Sequence, residues 1–321
     1  MANPIEVVDP IEAQWPELGY AAWRETRDTL QLWTQIVGKI RLTQTPWLNH
    51  SWHVTLYVTS RGLTTSPIPH GSRSFEIEFD FLAHALNITV SDGSARRLPL
   101  RPQSVADFYA AVMSALAHLG MAVVINDKPC EIAGAEAFNQ DRQHAAYDPA
   151  YARRFWQVLV QADRVFKQFR TAFIGKCSPI HFFWGSFDLA VTRFSGRRAP
   201  LFTAKVPGVS AAVMCEAYSD EVSSAGFWPG DQVTDYPAFY SYAYPAPPGF
   251  RDAPVQPAAA FFSEALGEFL LPYDAVRTAA DPDAALLAFL QSTYEAAAAT
   301  AKWDRAALEC QLGRPAVARK V

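Results

Sequence analysis

The feature that most limits how this chain can fold is an internal similarity between two of its segments. Residues 32–67 and 169–200 each contain a Gly-Lys pair, a strand-like string and then a proline. The strings are LYVT in the first segment and LAVT in the second. The matched residues predict a duplicated α+β unit with pseudo-two-fold symmetry, in which neither copy needs to be stable alone if each buries its sheet face on the other. Chance similarity between two amphipathic helix–strand units is the alternative.

The predicted fold class is therefore α+β, with two pseudo-repeated helix–strand units whose antiparallel sheets pack together. Five regions follow along the chain. They are an N-terminal arm at 1–14, a first repeat at 15–125, a linker at 126–150, a second repeat at 151–305 and a tail at 306–321.

The spacing of apolar residues predicts the elements of each repeat. Helical spacing predicts helices at 15–37 (ended by Gly38), 104–120 (capped by Ser104), 149–174 and 282–300. Period-two alternation or, at 121–125, a short apolar run predicts strands at 50–59, 75–81, 85–90, 121–125, 181–194, 213–227 and 237–244. The strand at 181–194 has room for a bulge at Gly185, and 61–74 is predicted as loop.

Composition excludes several classes of function. Of the 321 residues, 50% are hydrophobic and 19% are charged, which predicts a folded core. The net charge of −4 argues against a nucleic-acid partner, which requires a basic surface. No apolar run reaches the ~18 residues of a membrane span, and the first residues do not resemble a secretion signal. Four widely spaced cysteines predict free thiols and a cytoplasmic location.

The densest group of residues that could perform chemistry lies at 175–198. His181 could act as a general base oriented by Asp188, and Arg193 could bind a carboxylate or phosphate. Trp184 would exclude water, which strengthens electrostatic interactions in a site. An aromatic sheet core is the alternative interpretation of the same segment.

A second segment, 215–230, is acidic. If it is extended, Glu216, Tyr218 and Asp220 share one face of a strand. Carboxylates near a histidine can form an acid–base pair or bind a divalent metal ion, whereas a solvated acidic strand is the alternative. The catalytic candidates are His181, Asp188, Glu216 and Glu221, and the candidate metal ligands are His181, Asp188 and Glu216.

Aromatic residues predict the walls of a binding cleft. Tyr240, Tyr242 and Tyr244 alternate along one predicted strand, which suits a flat or cationic ligand; a packed sheet surface is the alternative. In the first repeat, His53 and Tyr57 lie opposite the predicted core face. The expected substrate-binding residues are His53, Tyr57, Trp184, Arg193, Tyr218, Trp228 and Tyr242.

Long strings of the chain resemble a bacterial family of unknown function. They include AAWRETRDTLQLWTQIVGK, YVTSRGLTTSPIPHG, GKCSPIHFFWGSFDLAVTRFSGRRAP, SAGFWPGD and GEFLLPYDAVR. They are spread over nearly the whole chain, from Trp15 to Trp303. The resemblance implies no reaction, cofactor or functional residue.

The sequence lacks the common phosphate-binding, dinucleotide-binding, hydrolase and zinc-protease motifs. We expect a cytoplasmic enzyme that acts on a small molecule in a cleft between the repeats, by acid–base or metal-assisted, hydrolase-like chemistry. A non-catalytic binding or sensor protein with an aromatic pocket is the first alternative, and an interaction protein is the second. The cofactor is left open, with a divalent metal ion as one possibility. The expected partner is a small molecule, with neither nucleic acid nor membrane.

Overall fold

The computed structural model describes residues 14–314 and 316–319. Within them the chain forms two antiparallel sheets of six strands each, with helices packed against them, which confirms the α+β class. Residues 1–13 of the predicted arm, and residues 315, 320 and 321 of the predicted tail, lie outside the described residues.

The first sheet alternates between a core face and a more open face. Its strands are β1 (Tyr57–Val58), β2 (Gly62–Thr64), β3 (Ile68–His70), β4 (Arg73–Asp80), β5 (Ala85–Val90) and β6 (Ala95–Pro99). The strand order is β1-β2-β4-β5-β6, with β3 paired to β4. On β4, Phe75, Ile77 and Phe79 are buried. The predicted strands at 75–81 and 85–90 are confirmed, whereas β2 and β3 lie in the predicted loop.

The second sheet is buried on both faces along its central strands. Its strands are β7 (His181–Phe183), β8 (Asp188–Arg198), β9 (Asp220–Trp228), β10 (Ala238–Tyr244), β11 (Phe261–Ser263) and β12 (Glu268–Pro272). The strand order is β7-β8-β9-β10-β12-β11. The predicted strand at 237–244 is confirmed as β10.

Capping residues determine where several helices begin. The helices are α1 (Tyr20–Gln44), α2 (Val105–His118), α3 (Pro149–Arg170), α4 (Ala211–Ala217), α5 (Tyr273–Arg277), α6 (Pro282–Thr300) and α7 (Arg305–Leu308). The side chains of Ser104, Asp148 and Asp281 accept hydrogen bonds from first-turn N–H groups of α2, α3 and α6. These are the three helices predicted at 104–120, 149–174 and 282–300.

The two sheets meet edge to edge. Leu56, next to β1, and Phe182 in β7 exchange two backbone hydrogen bonds of 2.9 Å. The halves on either side follow a similar order of a long helix, strands and a later helix, although α4 interrupts the second set of strands. The duplication stays a prediction, because two of its matched residues differ in structure. Gly38 lies inside α1, whereas Gly175 lies beyond the end of α3.

Helix α1 covers Tyr20–Gln44 rather than 15–37, so its predicted bounds are wrong. Gly38 does not end the helix. A Cβ atom at this position would lie 2.2 Å from the indole ring of Trp184. The glycine is therefore explained by the close approach of that ring, not by helix termination.

Two strands predicted in the first half are wrong. In the segment 50–59, the backbone turns at His50 and Ser51, which both have φ of 57°. Only Tyr57–Val58 of that segment is a strand. Residues 121–125, all of them described, form no strand.

Two strands predicted in the second half are also corrected. The segment 213–227 starts in helix α4, because Ser210 caps it by accepting a hydrogen bond from the Val213 N–H. Glu216 and Tyr218 therefore do not share a strand with Asp220. The segment 181–194 is not one bulged strand but a hairpin, in which β7 and β8 pair antiparallel.

The structure shows the state of the cysteines and the character of the helices. All four cysteines belong to the described residues and are free thiols, as predicted. None of the helices in the described part of the chain combines the length and hydrophobicity that crossing a bilayer requires.

Candidate functional site

A cavity of about 580 Å³ lies over the outer face of the second sheet. Its floor comes from β8, β9 and β10, and parts of α1, α4 and three loops cover it. These loops contain residues 47–54, 130–131 and 206–210. The volume falls within the range of cavities that hold small organic molecules.

Alternation along β8 determines which side chains reach the cavity. Asp188, Ala190 and Thr192 line it, whereas Leu189 and Val191 are buried in the core on the opposite face. Because the hairpin turn ends immediately before Asp188, this carboxyl stands at the start of the strand. The turn therefore sets the position of the most buried acidic group in the cavity.

Contacts from the first half of the chain hold that turn. Gln31 of α1 donates a 2.7 Å hydrogen bond from Nε2 to the carbonyl oxygen of Gly185. The indole N–H of Trp184 donates a 2.7 Å hydrogen bond to the carbonyl oxygen of Val54. The same indole packs against Gly38 of α1. Helix α1 therefore fixes the entry of β8 into the cavity floor.

Asp188 is a buried carboxyl with only 6% exposure. It accepts hydrogen bonds from the hydroxyl groups of Ser186 and Tyr240. Burial raises its pKa, and the two hydroxyl donors oppose that rise because they stabilise the ionised form. It forms no ion pair with any described residue, so its charge acts on the other groups in the cavity.

Two glutamates share the cavity with Asp188. Glu131 is exposed to the cavity, but its carboxyl packs closely against Gly185. Desolvation, followed by the charge of Asp188, raises the pKa of Glu131 to about 7. The same two causes raise the pKa of Glu268 at the start of β12 to about 7. Both glutamates therefore exchange protons near neutral pH.

Three tyrosines form part of the cavity wall. The rings of Tyr240 and Tyr242 stack with centroids 6.1 Å apart, as expected for alternate residues of β10. The hydroxyl groups of Tyr242 and Tyr218 lie 3.0 Å apart. Burial raises the pKa of all three phenols, so they stay protonated at neutral pH and can donate hydrogen bonds.

Two polar residues on the cavity wall form no side-chain hydrogen bond or ion pair within the described chain. Lys39 is only 7% exposed and forms no hydrogen bond or ion pair there; burial lowers its pKa. The hydroxyl group of Ser51 is also unpartnered. Nearby, burial raises the pKa of the Cys130 thiol to about 11, which argues against a thiolate nucleophile.

A charged cluster fixes His50 at one end of the cavity. Lys176 donates from Nζ to His50 Nε2 at 2.5 Å and to Asp220 Oδ2 at 2.9 Å. Arg198 also pairs with Asp220, at 3.1 Å. Burial alone would raise the pKa of Asp220, but the Lys176 hydrogen bond and the neighbouring positive charges lower it. The other ring nitrogen of His50 lies 3.1 Å from the Ala217 carbonyl oxygen.

The structure brings together some of the residues predicted from the sequence and separates others. The predicted residues that line the cavity are Asp188, Trp184, Tyr218, Trp228 and Tyr242. The predicted residues that are described but do not line it are His181, Glu216, Glu221, His53, Tyr57 and Arg193.

His181 lies behind the cavity wall. The hairpin pairs it with Ala190, which puts it on the same face of the sheet as Asp188. Three aromatic rings surround it, and neither ring nitrogen has a hydrogen-bond partner among the described residues. Burial, followed by the charges of Arg41 and Arg170, lowers its pKa to about 3. The imidazole is therefore neutral at pH ~7.

Arg193 lies on the opposite face of β8. Its guanidinium carbon is 3.5 Å from the ring centroid of Phe169 and 4.3 Å from that of Tyr294. Burial lowers its pKa to about 10, so it is still charged at neutral pH. The contacts join β8 to α3 and α6 and do not reach the cavity.

The two other glutamates predicted as catalytic have structural partners. Glu216 accepts a 2.9 Å hydrogen bond from the backbone N–H of His50. Glu221 accepts a hydrogen bond from the Ser195 hydroxyl and pairs with Arg197 at 2.6 Å. The first contact holds α4 against the 47–54 loop, and the second joins neighbouring strands.

The remaining predictions concern His53, Tyr57 and the metal. Arg41 donates a 2.7 Å hydrogen bond from Nε to the His53 carbonyl oxygen, and its guanidinium lies 5.3 Å from the Tyr57 ring centroid. Across residues 14–314 and 316–319, no group of three or more His, Cys, Asp or Glu side chains could hold a metal ion. The three candidate metal ligands are thus not brought together.

Sequence reasoning missed Glu131 and Glu268. Glu131 lies in the predicted linker, and Glu268 follows a short strand that the apolar pattern did not predict. The only local signal at Glu131 is conformational, since its φ is 62°. That value, which non-glycine residues rarely adopt, cannot be read from one sequence.

A family model matches residues 15–310, and its description is a family of unknown function, DUF5996. Comparison with curated proteins and with solved structures found no match in either. The family match agrees with the resemblance carried by the long strings of the sequence.

Proposed function

The chain belongs to DUF5996, a family of unknown function, and we propose that it is an enzyme performing acid–base chemistry on a small molecule in the cavity. One observation carries the proposal. Two carboxyl groups with pKa about 7, those of Glu131 and Glu268, face one cavity beside the buried Asp188. A general acid or base works best when its pKa lies near the working pH.

In this proposal Glu131 and Glu268 transfer protons to and from the substrate. Asp188 is a positioning residue, because its charge raises the pKa of both glutamates and Ser186 and Tyr240 hold it in place. Hydrolysis is one reaction that such a pair can catalyse, with one glutamate activating water and the other protonating the leaving group. We retain the cytoplasm as the proposed location.

The test is conversion of a metabolite. Purified protein is incubated with a small-molecule cell extract, and mass spectrometry follows which compounds disappear and which appear. Glu131→Gln and Glu268→Gln should each lower conversion at least about a hundredfold, because general acid–base catalysis contributes ~10²–10⁴. Glu136→Gln is the matched control, since Glu136 lies in the same loop but does not line the cavity.

A second candidate function is a non-catalytic binding or sensor protein. The stacked Tyr240 and Tyr242 rings favour it, because an aromatic wall gives affinity without chemistry. The extract experiment separates the two functions. A compound that raises the melting temperature but is recovered unchanged would contradict the enzyme and support the binder.

A further inference from the structure

The charges around the cavity do not balance. Glu131, Asp188 and Glu268 line it, and Lys39 is the one Lys or Arg among the lining residues that the structure describes. Lys39 forms no ion pair with any of the three carboxyls within the described chain. Neither Glu131 nor Glu268 forms a side-chain hydrogen bond or ion pair inside the described chain. The carboxyls thus lack a counter-charge.

An unpartnered buried hydroxyl shows that the polar lining is also incomplete. Ser51 is 9% exposed, and its hydroxyl has no partner among described residues. Lys39, at 7% exposure, forms no hydrogen bond or ion pair among the described residues either, although its Nζ is not fully enclosed. A buried donor without a partner costs about 1–3 kcal/mol, so the Ser51 hydroxyl on the cavity wall indicates that something else satisfies it.

Aromatic rings supply the remaining surface. Trp47, Trp52, Trp184, Trp228, Tyr240 and Tyr242 all line the cavity. The face of an aromatic ring attracts a cation, and desolvation strengthens that attraction. Carboxylates together with aromatic faces form the usual binding chemistry for ammonium groups, whereas an anionic ligand would be repelled by the carboxyls.

We propose that the ligand of this cavity is an organic cation. Its ammonium group is held by Glu131 and Glu268, its apolar body lies against the aromatic rings, and a hydrogen-bond acceptor on it can reach Lys39 or Ser51. This inference rests on the proposed function and names the substrate class of the same site.

The inference predicts how affinity depends on pH. The titratable groups around the cavity are Glu131, Asp188 and Glu268, the tyrosines Tyr218, Tyr240 and Tyr242, and Lys39, Cys130 and His50. Bound cations favour ionised carboxylates, so binding lowers the pKa of Glu131 and Glu268 and releases protons. Affinity should rise from about pH 6 to about pH 8 and then level off.

Four probes that share a phenethyl body test the sign of the ligand's charge. They are phenethylamine, phenethyltrimethylammonium, the neutral phenethyl alcohol and the anion phenylpropionate, each titrated calorimetrically into the full chain. Both cations should bind at least about tenfold more tightly than the alcohol and the anion, and should release protons at about pH 7. Equal binding of all four, tighter binding of the anion, or no binding of either cation at millimolar concentration would overturn the inference.

Variants test whether Glu131 and Glu268 hold the bound cation. Glu131→Gln with Glu268→Gln should weaken cation binding by about tenfold or more and abolish proton release, while Glu136→Gln changes neither. Unchanged cation affinity in the double variant would overturn the inference. A cation that binds but is never converted would contradict the proposed enzyme and leave this inference intact. If only anionic or neutral compounds are converted, the proposed enzyme is supported and this inference is overturned.

Discussion

The two sheets have the same number of strands, but their outer faces differ. On β4 of the first sheet, buried residues alternate with the half-buried Glu76 and Glu78, as in a sheet with one face toward water. On β8 and β9 of the second sheet, most residues of both faces are buried. The second sheet is therefore covered on both sides, by helices on one face and by the cavity and its covering segments on the other.

This difference shows what converts a sheet face into a site. Much of the cover over β8 comes from the first half of the chain, through α1 and the 47–54 loop. Glu78 of β4 is half-buried and accepts a hydrogen bond from Thr59. Asp188 of β8 is nearly enclosed and shares its surroundings with two other carboxyls. Coverage, more than residue type, makes the second set of carboxyls unusual.

The largest expected effect comes from breaking the contact between α1 and the hairpin turn. Gly38→Ala would put a Cβ atom 2.2 Å from the Trp184 ring, whose N–H is bonded to Val54. We expect a loss of about 2–3 kcal/mol in the free energy of unfolding, measured by urea denaturation.

Gly19→Ala is the matched control, because a Cβ atom there meets nothing within 4 Å. Gly19 lies just before the same helix, and its replacement by alanine should lower the free energy of unfolding by less than about 1 kcal/mol. Equal losses in the two variants would show that Trp184 moves away freely and that α1 does not fix the turn.

A smaller loss is expected from Tyr240→Phe. The change removes one of the two hydroxyl groups that donate to Asp188, so a buried carboxyl loses a partner. The expected cost is about 1–2 kcal/mol. Tyr244→Phe is the control on the same strand and face, because its hydroxyl donates to the Pro200 carbonyl outside the cavity. Similar costs for both would argue that Asp188 does not depend on Tyr240.

Local periodicity predicted the elements whose spacing of apolar residues is set by packing one face against a single neighbouring surface. The strand at 85–90 and the helix at 282–300 were predicted at the bounds the structure has, because alternation in β5 and the Asp281 cap of α6 are local signals. Asp188, Trp184, Tyr240 and Tyr242 were found as lining residues for the same reason, whereas Tyr244 of the same predicted face lies outside the cavity.

The rest of the site depends on contacts that local pattern does not carry. The turn at 184–187 was predicted only as a bulge in a continuous strand. Its conformation depends on contacts with Gln31 and Val54, which lie in distant segments of the sequence. His181 was predicted to face a cleft, but Trp52 and other rings enclose it. Glu131 reaches the cavity from irregular chain, where no periodicity exists to indicate its direction.

The pH dependence of stability sharpens the contrast between the sheets. The pKa of Glu131 and Glu268 is raised to about 7 in the folded chain, above the ordinary value of a glutamate. The folded state therefore holds protons that the unfolded state releases, and stability falls as pH rises from about 4.5 to about 7. In the variant Glu131→Gln with Glu268→Gln, this fall should disappear.

The measurement is the difference in unfolding free energy between the double variant and the wild type across that range. The difference should grow in favour of the variant up to about pH 7 and then stay constant. Taking a difference cancels other groups, such as His181, whose lowered pKa acts in the opposite direction. Glu78→Gln on the open face of β4 should give a flat difference. A flat difference for the cavity variant would contradict the raised pKa values.

The smallest expected effect is the contribution of the Asp188 charge to the raised pKa of Glu131 and Glu268. Desolvation is the larger cause of the raised pKa of Glu131 and Glu268, and the charge of Asp188 is the second. Asp188→Asn removes that charge and keeps the shape of the side chain, so both pKa values should fall by less than about one unit, as measured by carboxyl carbon NMR titration. Asp235→Asn, at an exposed position outside the cavity, should change neither value. If Asp188→Asn also leaves them unchanged, enclosure alone distinguishes this face from that of the first sheet, and Asp188 has no part in setting the acidity of the site.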